Sequence, residues 1–178
     1  TDVEVAVVDD QDRPLPPGET GQIITRSDLV MKGYWQDPEA SAQTLKGGWL
    51  HTGDLGYFDD AGYLFIMDRS KDMIISGGEN VYPRQIEEVL IGHPAVHEVA
   101  VIGVPDPQWG EAIKAVVVMV PGASVTEEAL IAFCGDRIAS YKKPKSIDFV
   151  GQLPKNNYGK LVKKDLREPY WRQSKKRV

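Results

Sequence analysis

Over the first 68 residues the apolar positions come in short bursts between polar, glycine-rich and proline-rich stretches, the texture of strands and loops. Residues 3–8 form one strand candidate, closed by the polar run Asp9-Asp10-Gln11-Asp12. A loop with Pro14, Pro16, Pro17 and Gly18 leads to a second candidate at Gly21 to Arg26. Residues 57–67 read as a hairpin whose turn is supplied by Asp59 to Gly62. After Lys71 the period lengthens. Pro83 suits the first turn of a helix, Ile86, Val89 and Leu90 recur at helical spacing, and His93-Pro94 ends it. Residues 99–104 and 115–120 are β-branched runs that read as buried strands. Thr126 is placed to cap another helix, with Val125 and Leu130 as a hydrophobic staple and Leu130, Ile131, Cys134 and Ile138 as its inner face. A strand at 147–150 and a short helix at 163–170 complete the pattern. The fold class predicted is α+β, in two parts: a mostly β segment, 1–70, with no evident core of its own, and a small domain, 71–178, with a sheet flanked by helices.

Composition narrows the options. With one cysteine, Cys134, an intrachain disulfide is excluded, and its apolar setting reads as core. His51, His93 and His97 form no recognisable metal pattern with it, so no metal ligand is assigned. No window approaches the ~20 apolar residues of a membrane span. The start, Thr1-Asp2-Val3-Glu4-Val5, has neither a basic region nor an apolar core, so it does not read as a signal peptide, and a cytoplasmic location is expected. The net charge of −5 conceals an asymmetry. Residues 1–136 carry 8 Lys/Arg against 23 Asp/Glu, whereas residues 137–178 carry 13 against 3. A basic end can attract a phosphate-rich ligand or simply be a solvated face. Aromatics do not interleave with these charges in a recognisable binding motif, so nucleic acid is not expected.

Three blocks carry the candidate chemistry. The first is His51-Thr52-Gly53-Asp54-Leu55. The second runs from Asp68-Arg69-Ser70-Lys71-Asp72 into Ser76-Gly77-Gly78-Glu79-Asn80-Val81-Tyr82-Pro83. The third is Pro154-Lys155-Asn156-Asn157-Tyr158-Gly159-Lys160. Asp54 follows Gly53 in what reads as a loop, and its carboxylate suits the paired hydroxyls of a ribose. Arg69 supplies a rigid, permanently charged fork. Gly77 and Gly78 leave backbone that an extended ligand can approach. Lys160 ends a flexible loop, where a mobile catalytic group is expected. Taken singly, each has a plainer reading. Asp54 would sit in a turn, and Arg69 would pair with Asp68 or Asp72 on the surface. Gly77-Gly78 would turn from strand to helix, and Lys71 and Lys160 would be solvated lysines. Trp109-Gly110-Glu111 receives no role.

In this order the three blocks resemble the carboxyl-terminal third of adenylate-forming acyl-CoA synthetases, and the resemblance covers essentially the whole chain. It implies that Asp54 grips the ATP ribose, that Arg69 serves the ribose or phosphate side, and that Gly78 lies beside the pantetheine of CoA. It implies that Lys71 is the hinge about which a mobile domain turns between two half-reactions, and that Lys160 is the catalytic lysine of adenylation. It further implies ATP, magnesium and CoA for the intact enzyme, with a carboxylic acid, fatty or aryl, as substrate. The family's phosphate loop, adenine pocket and acyl tunnel have no counterpart in this sequence. The chain is therefore expected to be a fragment, inactive alone, whose partner is a missing amino-terminal domain and whose open strand edges invite self-association. Two alternatives stay open: an adenylating enzyme that loads a separate carrier protein, and a non-catalytic binding module that retains the fold.

Overall fold

The computed structural model describes residues 2–172. The chain divides into two compact units, residues 1–71 and 72–178.

The first unit is one antiparallel sheet. Strand β1 (Glu4–Val8) pairs with β2 (Gly21–Arg26), and β2 pairs with the long strand β4 (Trp49–Phe58). The other edge of β4 is shared by the two-residue strand β3 (Leu45–Lys46) and by β5 (Leu64–Arg69). Val7, Val8, Ile23, Ile24 and Leu55 are its buried apolar residues, whereas Leu29, Trp35, Tyr63 and Ile66 stand exposed. Helix α1 (Pro38–Thr44) was not expected. It buries no residue and so carries no apolar stripe, but its start is written in local chemistry. Asp37 accepts a hydrogen bond from the Ala40 N–H at 2.9 Å, and proline occupies the first helical position.

The second unit has three layers. Strands β8 (Val96–Asp106) and β9 (Gly110–Met119) form a long antiparallel hairpin. On the far side of β9 lie β10 (Ser146–Phe149), parallel to it, and the short hairpin of β6 (Ile74–Ser76) and β7 (Glu79–Val81). Both faces of the hairpin are covered, which is why β8 and β9 read as nearly unbroken apolar runs. Along β9 the alternation is clean. Ile113, Ala115 and Val117 face helices α2 (Pro83–Ile91) and α3 (Glu127–Gly135), where Ile86, Leu90, Leu130 and Cys134 are fully buried. Ala112, Val116 and Val118 face the opposite layer, built from Leu153, Leu161 and helix α4 (Lys163–Trp171) through Leu166 and Tyr170. Helix α3 provides the crossover that parallel β10 requires. Its cap is the expected one, the Thr126 hydroxyl accepting from the Ala129 N–H at 3.2 Å, and Val125 packs against the cluster that contains Leu130.

Candidate active site

In the first unit, Asp54 does not lie in a loop. It is inside β4, at an irregularity where residues 52–54 bulge opposite Ile23. Gly53 adopts φ +74°, a conformation that β-branched or bulky residues avoid, and the bulge re-aims the residue after it. Thr52 secures the kink: its hydroxyl donates to the Ile23 carbonyl at 2.7 Å and accepts the Asp54 N–H at 3.1 Å. Strand register then brings Asp54 opposite Arg69 on β5. Arg69 Nε sits 3.0 Å from Asp54 Oδ1, each side chain about two-fifths exposed (42% and 38%). Arg69 thus has Asp54 as a side-chain partner, and Asp68 takes the Arg69 backbone N–H at 2.7 Å.

The Arg69 Nε atom is nevertheless buried without a hydrogen-bond acceptor, although an oxygen lies within 3.0 Å. Both facts hold because the carboxylate approaches off the N–H direction, giving an ion pair without the hydrogen bond. Another donor of the same guanidinium reaches the Thr52 carbonyl at 3.2 Å. Lys71 follows in the 3-10 turn Ser70–Asp72.

In the second unit, Gly77 and Gly78 join two strands, not a strand and a helix. Ser76 pairs with Glu79, and both glycines have positive φ (+62° and +87°), as a two-residue type I′ hairpin turn requires. The strands are three residues long, too short for an apolar pattern to announce them. The two glycines differ in surroundings. A Cβ on Gly78 would meet nothing within 4 Å, so the backbone there is open to a ligand. A Cβ on Gly77 would lie 2.7 Å from the Trp109 ring, and the Gly77 N–H donates to the Trp109 carbonyl at 2.9 Å. Trp109 therefore buttresses the glycine turn while remaining 42% exposed. Lys145 Nζ stands 5.5 Å from its ring centroid, a flat aromatic face paired with a cation. The sequence offered the Trp-Gly-Glu string but not this packing.

Lys160 occupies a loop that is ordered by one side chain. Asn156 Oδ1 accepts the backbone N–H of Tyr158 at 3.0 Å and of Lys160 at 2.9 Å. The Asn156 N–H donates to the Lys160 carbonyl, and the Val162 N–H to the Pro154 carbonyl, both at 2.9 Å. Lys160 is exposed at the end of this cross-tied loop. Lys155 is instead spoken for, 2.7 Å from Glu98 Oε1. Asp54 and Arg69 are thus brought together in one unit, and Gly78 and Lys160 are separate features of the other. The basic run 173–178 lies outside the described residues. Among those described, no three His, Cys, Asp or Glu side chains gather as a metal site.

Comparison with known proteins gives a consistent picture. Residues 85–160 match the AMP-binding enzyme C-terminal domain. The chain is 50% identical over 157 residues to a feruloyl-CoA synthase of Amycolatopsis, covering 88% of this chain and 32% of that protein. It is 47% identical over 165 residues to a long-chain-fatty-acid–CoA ligase of Escherichia coli, covering 93% and 29%. The structure superposes on o-succinylbenzoate CoA synthetase of Bacillus subtilis, in complex with its acyl-adenylate intermediate, with a TM-score of 0.87. That match is 39% identical and covers 92% of this chain and 33% of the other. The chain thus spans about a third of the length of the relatives it matches.

Proposed function

Because this chain belongs to the AMP-binding, adenylate-forming enzymes through the C-terminal domain it carries at residues 85–160, we propose that it is the carboxyl-terminal part of an AMP-forming acyl-CoA synthetase acting on a fatty or aryl acid. In the first half-reaction a carboxylate oxygen of the acid attacks the α-phosphorus of ATP. The bond from that phosphorus to the bridging oxygen breaks, and pyrophosphate leaves. In the second, the CoA thiol attacks the acyl carbon and AMP departs.

The observation that carries this reading is Lys160. It is an exposed cation on a loop locked by Asn156. Two anions must meet in the first step, and a positioned ammonium offsets their repulsion and stabilises charge on the phosphoryl oxygens. In the same reading Asp54, held by Arg69, accepts the ribose hydroxyls, and the exposed part of the Arg69 guanidinium serves the ribose or phosphate side. The open backbone at Gly78 lets the pantetheine pass, and Lys71 is the hinge. The magnesium expected with ATP shields the phosphates when bound. No cluster on the described residues is suited to hold it, so no step here depends on a ligand from this chain.

The test is pyrophosphate release by the longer protein with carboxylic acids of varied length and aromaticity, with and without CoA. Lys160→Ala should cost adenylation about 3–4 kcal/mol of barrier, the scale of a lost oxyanion donor. It should spare conversion of supplied acyl-adenylate to thioester. Absence of acid-dependent pyrophosphate release across the panel would overturn the proposal, as would an undiminished Lys160→Ala enzyme.

A further inference from the structure

Helix α4 starts three residues after Lys160, and a backbone hydrogen bond ties the loop to the start of the helix. The Val162 N–H that closes the loop onto Pro154 belongs to the residue at the helix N-cap. Yet α4 is poorly equipped to hold itself. It has nine residues, no side-chain cap, an internal Pro169 and no fully buried residue. A helix this short is not stable alone, and the proline removes one of its backbone hydrogen bonds. Its seat must come from what its side chains grip.

Two of those grips are charged and lie on one face, four residues apart. Lys163 Nζ is 2.7 Å from Glu87 Oε1 on α2, with side-chain exposures of 12% and 20%. The same carboxylate oxygen accepts the Val101 N–H of β8 at 2.7 Å, so Lys163 is joined to both helix and sheet. Arg167 reaches Asp72 at 3.2 Å, where the side chains are 25% and 13% exposed. Glu111 on β9 also feels the Arg167 charge. Burial raises the Glu111 carboxyl above its usual range, and the Ile75 N–H and Arg167 pull it back. The Glu111 carboxylate occupies the space where a side chain at Gly103 would stand. Arg167 thus pairs with one shielded carboxylate, Asp72, and lends its charge to a second, Glu111. Without it, both would keep their desolvation and lose their counter-charge.

We propose that Lys163 and Arg167 are positioning residues for Lys160: through Glu87 and Asp72 they seat α4, and α4 sets where the loop presents its ammonium. The functional half of this inference rests on the role given to Lys160 above, whereas the mechanical half does not. Neither residue touches the reacting groups. The effect of losing either is displacement, and a misplacement of about 1 Å can cost about 100-fold in rate.

Two measurements on Lys163→Met and Arg167→Met separate the halves. In the 178-residue chain, amide hydrogen exchange is followed at Asn156, Tyr158, Lys160 and Val162, with β9 amides as the internal reference. Exchange in the loop should quicken about 10-fold while β9 is unchanged. In the longer enzyme, adenylation should fall about 10- to 100-fold while thioester formation from supplied acyl-adenylate stays within about twofold. Lys163→Arg, which keeps the charge for Glu87, should restore both readouts. Unchanged loop exchange in both variants would overturn the mounting role. Equal loss of protection in loop and β9 would overturn it too, by showing a general effect on stability. Loosened loops with undiminished adenylation would refute the link to Lys160. If the unaltered longer enzyme forms no adenylate, the functional reading falls and the exchange data still decide the mechanical one.

Discussion

Alanine at Gly103 would place a methyl group 2.1 Å from Glu111 Oε2 and 3.1 Å from its Cδ, with Ile74 Cγ2 next at 3.2 Å. Ordinary contact needs more than 3.4 Å, so the carboxylate must leave its place. Three effects compete. An added buried methyl and a stiffer unfolded chain favour the variant by roughly 1–2 kcal/mol together. Overpacking opposes it by roughly 1–3 kcal/mol. Displacing the carboxylate takes an acceptor from the Ile75 N–H and moves a charge away from Arg167, at roughly 1–3 kcal/mol more. The balance is a destabilisation of about 2 kcal/mol. In a Glu111→Ala background the obstructing atoms are gone and only the modest contact with Ile74 remains, so the same change should be neutral or favourable. Urea unfolding, followed through amide resonances of β8 and β9, measures all four corners of this cycle. At a slope of about 2 kcal/mol per molar urea, Gly103→Ala alone shifts the midpoint down by about 1 M. Equal costs in the two backgrounds, within about 0.5 kcal/mol, would refute the account of why residue 103 lacks a side chain.

Four further outcomes follow, the first from the proposed hinge and the rest from the geometry. Lys71→Pro should leave adenylation intact and slow thioester formation, because proline fixes the torsion that a hinge must change; equal damage to both half-reactions speaks against the hinge. Gly77→Ala should destabilise the β6–β7 turn more than Gly78→Ala, since both pay about 1–2 kcal/mol for positive φ but only the first meets Trp109; thermal melts of the two variants compare them. Tyr170 donates to Asp148 Oδ2 at 2.6 Å, and that bond, with burial and the carboxylate charge behind it, pushes the phenol up to about 12. Its contribution to stability is therefore complete below pH 10 and is lost as pH rises through about 12. One of the seven tyrosines should ionise near pH 12 by absorbance and be missing in Tyr170→Phe. On the acid side burial raises Asp148, but hydrogen bonds from Lys114 and Tyr170 outweigh it, and the net shift is downward. Its stabilising effect is present above pH 3.8 and fades as pH falls through the lowered value.

What the sequence made legible divides along physical lines. Strands β8 and β9 were readable because burial on both faces leaves apolar runs that need no context, and α3 because Thr126 and Val125 state its start locally. Helix α1 and the β6–β7 hairpin were missed, although Asp37-Pro38 and Gly77-Gly78 were there to be read. Elements of seven and three residues that bury little give no period to detect. Asp54 was read as a loop residue because a glycine before a carboxylate ordinarily marks a turn; only pairing of β4 with both β2 and β5 shows a bulge in a continuing strand.

The candidate site divides the same way, and the reason bears on how such a site can be altered. Lys160, Asp54 and Gly78 stand in short blocks whose chemistry is stated by near neighbours: a glycine loop, a kinked strand, a two-residue turn. Asn156 and Thr52 order two of them from within a few residues, but the proposed mounts of Lys160 on α4 are not stated locally. Lys163 and Arg167 read as members of a basic run, and their partners Glu87 and Asp72 lie far upstream, brought near only by the layer of α4 on the sheet. The apolar share of the mount, Leu166 and Tyr170, is two residues and makes no readable stripe. The charged share does not show itself either, because lysine and arginine in a helix ordinarily mark its solvated face. The polar choice has a mechanical consequence. Non-directional burial lets a helix slide by small steps, whereas a lysine on a shared carboxylate and a guanidinium on Asp72 add directional restraints to α4. Substituting these cations by apolar residues of similar size can therefore leave the fold standing and still blur where Lys160 points.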